Sequence, residues 1–455
     1  MRREVPKNVL KLINIINKEG YEVYLVGGCV RDMIMGKEPH DYDMCTNADP
    51  MQLIQIFEKH DLGINPKGLA FGTVTAVMDW EEYEVTTYRE DLEYLDSRHP
   101  DGVAFTQNIE TDLGRRDFTM NAIAYNPITD AMVDPYHGQE DIANGLIRTV
   151  RNPDDRFDED ALRILRGLRF AITMGFDIEP ETLKAMLKHK DALMYVSKER
   201  VTDEFRKMFK ANKPIRKWFM ECADIIFVLI PELKVCYKFA QNNKYHKHDV
   251  YEHMLAVVDG CDTNKFEIKM AALLHDIGKP DSYVTDEEGW GHFYGHPKVS
   301  FDICKGLFES DFRLTREEAK LIGDLILYHD IAIAPTEKSI KRAINKYGAD
   351  YLADWLVLHK ADANDHILPE GKVEPDWMKV DEMIAIYEKI MSEKTYFTIK
   401  NLVINGNDIK DILNIKGSPI IGELLNYLVD GVIDKKFENT VEDLTKAVKE
   451  YALGG

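Results

Sequence analysis

The 455-residue sequence has no apolar run long enough to cross a membrane. The stretch ADIIFVLIP around Ile225 falls far below the roughly 20 residues that a span needs. The apolar run Val9 to Ile16 is broken by Lys11 and Asn14, so it reads as an amphipathic helix and not as a signal peptide. The six cysteines are dispersed (29, 45, 222, 236, 261, 304) and form no C-x-x-C pair, which points to a reduced, cytoplasmic protein. Internal repeats, low-complexity segments and long linkers are also missing. Positive charge is scarce: 58 Lys and Arg stand against 79 Asp and Glu, a net charge of −21. That argues against a general nucleic-acid binder, because phosphate contacts need Lys and Arg. One segment departs from this balance. Lys198 to Lys217 holds eight basic residues against three acidic ones, which fits either a local RNA-binding face or a solvated helix.

The composition is otherwise that of a globular protein, 45% hydrophobic and 30% charged. Single cores rarely grow past ~250–300 residues, so several domains are expected. The stretch Leu25 to Thr46, LVGGCVRDMIMGKEPHDYDMCT, organises the first of them. An apolar strand runs into Gly27 and Gly28, a short helix carries Arg31 and Asp32, and a second strand over 40–45 holds Asp41 and Asp43. Alternate strand residues face one way, about 7 Å apart, close enough to bracket Mg²⁺. The glycines let the backbone approach an anion. A phosphate seat beside paired carboxylates points to phosphoryl or nucleotidyl transfer.

Helices are expected over 8–19, 50–60 and 139–144. Strands are expected over 22–27, 73–79 and 82–88 (a hairpin), 122–126 and 131–134. The polar segment Arg89 to Val103 reads as a long loop. From Pro153 onward the pattern is mostly helical. The fold class is α+β: a mixed-sheet head over 1–145, then all-α regions over 146–244, 245–365 and 366–455.

The order G-G-x-V-R-D-x(8)-D-x-D resembles the signature of the bacterial-type (class II) tRNA nucleotidyltransferase/poly(A) polymerase family, which includes CCA-adding enzymes. The resemblance implies that Asp41 and Asp43 hold catalytic magnesium. It also implies a third carboxylate near the hairpin, for which Glu84 is the candidate and Asp79 the competitor. RRDFTMNA (Arg115 to Ala122) is similar to the family's second motif and implies that Arg116 contacts the nucleotide, with Gly28 and Arg31 gripping the triphosphate. DPYHGQED (Asp134 to Asp141) is similar to the next motif and reads as structural. NPKGLAFGTVTAVMD resembles the H-G-T-V-T region of CCA-adding members, with Phe71 in place of the usual His. The basic G-R-R-F-type string associated with poly(A) polymerases is missing. The expected substrates are CTP, ATP and tRNA, without a membrane partner. An A-adding or poly(A) enzyme is the alternative. Cys29, beside the glycines, is expected to be a target for thiol reagents that block nucleotide entry.

FDEDALRILRGLRFA (Phe157 to Ala171) reads as one helix with Asp160, Arg163, Arg166 and Arg169 spaced by three. Three arginines against one aspartate leave positive charge in need of a partner such as phosphate. The string is similar to the family's nucleobase-selecting motif. Cytosine and adenine both offer an amino donor beside a ring-nitrogen acceptor; uracil and guanine reverse the order. A carboxylate only accepts and a guanidinium only donates, so Asp160 with Arg163 fits C and A. Each mismatch would cost ~1–3 kcal/mol.

Nine of the fourteen histidines fall between His246 and His366. The order His253, His275-Asp276, His296, His329 and Asp362 resembles the ligand order of HD-domain metal phosphohydrolases, with HDIGK after an apolar helix. His248 and His292 read as surface residues. The resemblance implies a transition metal or Mg²⁺ that activates water on a phosphoester; a helical core without metal is the bland alternative. A hydrolase whose head serves as a nucleotide sensor is the rival reading of the chain. The tail, with two glycine-bounded turns between short helices, resembles the family's C-terminal region, implied to help hold tRNA.

Overall fold

The computed structural model describes residues 5–65, 68–91, 103–368 and 374–454. Two compact units emerge: residues 1–208 with 218–231, and residues 209–217 with 232–455.

The first unit opens on α1 (Lys7–Lys18), whose Val9, Leu12, Ile13 and Ile16 form a buried stripe at helical spacing. Then follow β1 (Val23–Val26), α2 (Gly28–Ile34), β2 (Met44–Thr46) and α3 (Pro50–Lys59). Asp49 and Gln52 form a capping box at the start of α3. Strands β3 (Gly63–Asn65), β4 (Thr73–Met78) and β5 (Glu81–Thr87) come next, with β4 and β5 joined at Asp79 and Trp80. Both turn residues have positive φ (53° and 69°), the twist that a two-residue hairpin needs. The short ribbon β6 (Arg89–Asp91) and β7 (Val103–Phe105) flanks residues 92–102, so most of the expected loop lies outside the described residues. Helix α4 (Ile109–Gly114), strands β8 (Ala124–Asn126) and β9 (Ala131–Val133), and α5 (Gly138–Asn144) complete the head. Seven strands form one mixed sheet in the order β3-β4-β5-β2-β1-β8-β9, with β2 and β5 parallel and the other pairs antiparallel.

One strand is shorter than the sequence pattern implies. β2 begins at Met44, and Asp41 and Asp43 lie on the chain leading into it. The ladder ends there because β1 ends: Val26 N–H donates to the Asp43 carbonyl (3.0 Å) and the partner chain turns away at Gly27.

After β10 (Leu146–Ile147), the stretch read as a single helix is two: α6 (Pro153–Glu159) and α7 (Leu162–Met174). Asp160 breaks them, with φ −147° and ψ 101°, and its carboxylate accepts the Leu162 N–H (3.1 Å). β11 (Asp177–Ile178) pairs in parallel with β10, and α8 (Pro180–His189), α9 (Lys198–Lys210), α10 (Arg216–Glu221) and α11 (Ala223–Leu229) follow.

The second unit is mostly helical. Helices α12 (Val250–Gly260) and α13 (Phe266–Leu274) are buried on nearly all sides. The hairpin β12 (Tyr283–Thr285) and β13 (Gly291–Phe293) precedes α14 (His296–Ser310), α15 (Arg316–Tyr328), α16 (Glu337–Tyr347), α17 (Ala349–Asp365) and α18 (Asp376–Glu393). In the tail, α19 (Gly406–Leu413), α20 (Ile420–Ile433) and α21 (Val441–Gly454) enclose a small core of Ile409, Leu424, Leu428, Leu444 and Val448. Arg342 on α16 pairs with Asp430 and Asp434 and ties this core to the preceding helices.

DPYHGQED has a structural role. Asp134 accepts the N–H groups of Gly138 (2.7 Å) and Gln139 (2.9 Å), and buried Asp141 accepts Thr119 Oγ1 (2.6 Å) and Arg148 Nε (3.2 Å). A Cβ on Gly138 would stand 2.1 Å from the Thr119 carbonyl oxygen. Gly138→Ala is therefore expected to destabilise the head by about 1–3 kcal/mol, measured by denaturant unfolding. Gly306, in α14 with open space at its Cβ, is the control: its change to Ala should stabilise by roughly 0.5–1 kcal/mol. Equal stability of the two variants would contradict the packing described here.

Candidate active site and metal centre

Gly27 takes φ +79° just before α2, a conformation that favours glycine. A Cβ here would meet Arg116 Nη1 at 3.0 Å, and one on Gly28 would meet Arg31 Nη2 at 3.6 Å. Two guanidinium groups thus lie over the glycine turn. Arg31 is held by Asp32 (2.8 and 2.9 Å) and donates through Nη1 to Asn121 Oδ1 (2.8 Å). Arg116 pairs with buried Asp112 (3.4 Å), and its buried Nε has no hydrogen-bond partner. Anion-binding geometry of this kind needs both close backbone approach and fixed cations, and the turn supplies the first while Asp32, Asn121 and Asp112 supply the second.

Asp41, Asp43 and Glu84 line one recess of about 750 Å³. The sheet register explains why. Met44 pairs with Val85 across parallel strands, so Asp43 and Glu84 are neighbours at the same end. Asp79, at the hairpin turn, does not line the recess. Burial in the recess wall raises the Asp43 carboxyl, Arg116 opposes that, and Asp41 adds to it. Glu84 is raised by burial and then by Asp43 and Asp41. Carboxylates that raise one another's pKa are a favourable seat for a divalent cation, which removes the repulsion.

Cys29 is buried beside this site, its Sγ 3.8 Å from the Asp43 carbonyl oxygen. Its buried thiol donates to the Val26 carbonyl (3.3 Å), and burial, then Asp43, pushes it up to about 11. A buried thiol held in its protonated form is a poor nucleophile, which runs against the expectation of a reagent target at nucleotide entry.

The arginines of α7 are not surplus charge. Arg163 is buried, and donates to Glu159 (2.6 Å) and to the carbonyls of Arg156 (3.1 Å) and Arg115 (3.0 Å). Arg166 forks onto Asp117 (2.6 and 2.9 Å), and Arg169 pairs with Glu204. Burial alone would raise Asp117; Arg166, Asn121 and the Phe118 N–H bring it down to about 2. Asp160 does not pair with Arg163. Its partner is Arg200 on α9, at 2.7 and 3.2 Å. Arg31, Arg166 and Arg169 all lie over the Phe170 ring, 5.3, 5.4 and 3.9 Å from its centroid, which gathers the glycine turn, RRDFTMNA and α7 in one place. Asp117, Glu159, Arg200 and Glu204 escape sequence reasoning, because nothing local distinguishes a carboxylate that meets a distant arginine from one in water.

In the second unit, six expected residues converge. The Asp276 carboxylate is central. Its Oδ2 lies 3.4 Å from His253 Nε2 and 3.3 Å from His275 Nε2, and its Oδ1 lies 3.2 Å from His296 Nε2 and 3.7 Å from His329 Nε2. Asp362 Oδ1 is 3.1 Å from His253 Nε2. The opposite nitrogen of every histidine has an acceptor: Asp365 for His253 (2.8 Å), Ala272 O for His275 (2.9 Å), Phe293 O for His296 (2.8 Å) and Ile326 O for His329 (2.7 Å). A proton on each Nδ1 leaves each Nε2 lone pair aimed at the centre. Nε2 of His253 and His275 and Oδ1 of Asp276 are buried without a well-formed hydrogen bond. Four imidazole nitrogens and two carboxylates turned to one buried point fit a metal's donor set. Burial lowers His253, but Asp276, Asp362 and Asp365 raise it to about 10, a concentration of negative charge that favours a cation here.

Lys279 Nζ lies 2.6 Å from Asp276 Oδ2 and donates to Gln241 (2.8 Å). A cavity of about 610 Å³ opens onto the cluster, with Trp290, His292 and Tyr294 on its wall. His292 thus lines the cavity and bonds Asp286 (2.8 Å), while His248 pairs with Glu252. Asp365, three residues after Asp362 on the same helix, was legible only as a helical neighbour.

Comparison with known proteins places these features. The family model for the poly A polymerase head domain matches residues 23–148, that for the probable RNA and SrmB-binding site of polymerase A matches 175–234, and the HD domain matches 245–393. A CCA-adding enzyme of Streptococcus suis is 31% identical over 450 residues, 97% of this chain and 96% of that protein. One from Staphylococcus saprophyticus is 30% identical over 439 residues, 94% of each. The crystal structure of the Bacillus stearothermophilus CCA-adding enzyme in complex with CTP is similar at 25% identity and a TM-score of 0.70, covering 98% of this chain and 97% of that one. The likeness runs through the head, the arginine-rich helices and the HD unit alike, and on that extent the chain belongs to the family of CCA-adding enzymes.

Proposed function

We propose that the protein adds C, C and A in turn to the 3′ end of tRNA from CTP and ATP, releasing pyrophosphate and using no nucleic-acid template, in the cytoplasm. The observation that carries this reading is the convergence of Asp41, Asp43 and Glu84 in one recess of the same unit that holds the guanidinium groups of Arg31 and Arg116 over a glycine turn. Asp41 and Asp43, with Glu84, would hold Mg²⁺, which when bound lowers the pKa of the attacking 3′-hydroxyl and offsets charge on the α-phosphate. Gly28, Arg31 and Arg116 grip the triphosphate. Asp160 accepts from the amino group of C or A, and Arg163, fixed by Glu159, donates to the ring nitrogen. Arg166 and Arg169, locked to Asp117 and Glu204, keep Phe170 and Arg31 in place and shape the nucleotide pocket. In this reading residues 1–145 are the polymerase head, 146–244 the base-selecting and RNA-binding region, 245–365 the HD domain and 366–455 a tRNA-binding tail.

The orphaned atoms of the HD cluster support a second activity, hydrolysis of a phosphoester. His253, His275, Asp276 and Asp362, with His296 and His329, would hold a transition metal or Mg²⁺, which supplies an activated water. Asp365 fixes His253, and Lys279 offers a buried cation at the cavity floor.

Asp41→Ala and Asp43→Ala should each lower CMP and AMP incorporation into tRNA lacking CCA by on the order of 10³-fold, as loss of several kcal/mol of charge stabilisation requires; near-normal incorporation would remove these residues from the site. Asp160→Ala should lower the preference for CTP over UTP and for ATP over GTP by ~10-fold or more, read from kcat/KM. Metal analysis of the full-length protein should find a tightly held divalent ion that is lost in His275→Ala, with affinity reduced ~10–100-fold in Asp365→Ala. A wild-type protein that binds no metal refutes the second activity.

A further inference from the structure

The basic segment that opens at Lys198 reads from its sequence as an outward-facing surface. Two residues of α9 instead turn toward the nucleobase-selecting region: Glu204 pairs with Arg169 and Arg200 with Asp160. The second contact is the informative one. Arg200 Nη2 lies 2.7 Å from Asp160 Oδ2 and Nη1 lies 3.2 Å from Oδ1, a two-pronged fork of the kind that fixes a carboxylate plane.

Asp160 needs such a partner. It sits in extended conformation at the break between α6 and α7, where no helical packing fixes its side chain. Its only other bond among the described residues is from the Leu162 N–H to Oδ1. A carboxylate has about four acceptor positions. Leu162 N and Arg200 Nη1 fill Oδ1, and Arg200 Nη2 takes one position on Oδ2. One acceptor position on Oδ2 is left, and with an 18% exposed side chain it is within reach of a ligand. A single fixed acceptor suits one amino N–H and repels a carbonyl oxygen in the same place. Arg163 shows the complementary arrangement, with its guanidinium held by Glu159 and two carbonyls.

We infer that Arg200 is a positioning residue for nucleobase selection, fixing the Asp160 carboxylate so that it accepts the amino group of C or A and rejects the carbonyl of U or G. This rests on the reading of Asp160 as the base-reading carboxylate. The acceptor half of a protein template is then held by an arginine, and the donor half by a glutamate. Arg200 is not among the groups assigned to the triphosphate, so its loss should relax the choice of base more than it slows the chemistry.

The test compares full-length wild type, Arg200→Met, Arg200→Lys and Asp160→Ala. Steady-state incorporation of CTP and UTP is measured on tRNA lacking CCA, and of ATP and GTP on CC-ended tRNA. Binding of the four nucleotides is measured separately by equilibrium dialysis. Arg200→Met should lower the CTP:UTP and ATP:GTP ratios of kcat/KM by about 10-fold, mostly through KM for the correct nucleotide, with a matching loss in its binding. Arg200→Lys, which keeps the charge without the fork, should recover part of the ratio, and it carries the test if the methionine variant fails to fold. Slower incorporation of all four nucleotides with unchanged ratios would make Arg200 merely structural and overturn the inference. Relaxed selection in Asp160→Ala but not in either Arg200 variant would overturn it while leaving the base-reading assignment intact. Unchanged ratios in Asp160→Ala would refute both.

Discussion

The half-buried ion pair between Asp117 and Arg166 is the contact on which the nucleotide-binding unit depends. Asp117 directly follows Arg116, so whatever fixes one fixes the approach of the other. Its carboxylate accepts a fork from Arg166 on α7 and a hydrogen bond from the Asn121 side-chain amide (3.0 Å), and Asn121 in turn accepts from Arg31. A charge removed from water is tolerated only when its partner and its remaining hydrogen bonds come with it. The glycine turn, RRDFTMNA and α7 are therefore tied by one network, and Phe170 supplies the apolar plate under three of its cations. Truncating Arg166 would leave the Asp117 carboxylate, itself largely shielded from water, with only Asn121 and the Phe118 N–H as partners.

A related constraint governs the second unit with the opposite outcome. Four histidines there have their outer nitrogens satisfied by a carboxylate or by backbone carbonyls, while the inner nitrogens of His253 and His275 and the Oδ1 of Asp276 have no well-formed hydrogen bond, and Asp276 Oδ2 faces Lys279. In the first unit buried charge is neutralised within the protein. In the second, a single lysine faces two carboxylates and four histidines turned to one centre, an arrangement that a bound cation would complete. A fold that leaves buried polar atoms unpaired loses stability by doing so, and binding recovers it.

Much of this was legible in the residue pattern. The amphipathic stripe of α1, the two-residue hairpin between β4 and β5, and the helix expected over 50–60 are local features, and they appear within one or two residues of where the pattern places them. Six metal-site candidates converge because a helix or its end presents each of them to a common centre. The departures are equally physical. β2 is short because β1 ends at Gly27, a fact about its neighbour. The helix expected over 157–171 breaks because the Asp160 side chain caps α7, and a propensity sum cannot weigh that against continuation. Cys29 is enclosed because its thiol meets the carbonyls where β1 ends and the chain leads into β2, a long-range contact.

The sequence by itself determined the chemistry available: paired carboxylates after a double glycine, arginines at a spacing of three, and histidines in an order that suits a metal. Short-range spacing carries that information because helices and strands repeat at fixed periods. Only the tertiary structure decided which charges cancel and which stay open. Arg166 meets Asp117 across 49 residues, Asp160 meets Arg200 across 40, and His253 meets Asp365 across 112. Pairing at such separations follows from how the elements pack, and no local pattern distinguishes an arginine reserved for a carboxylate from one left for a phosphate.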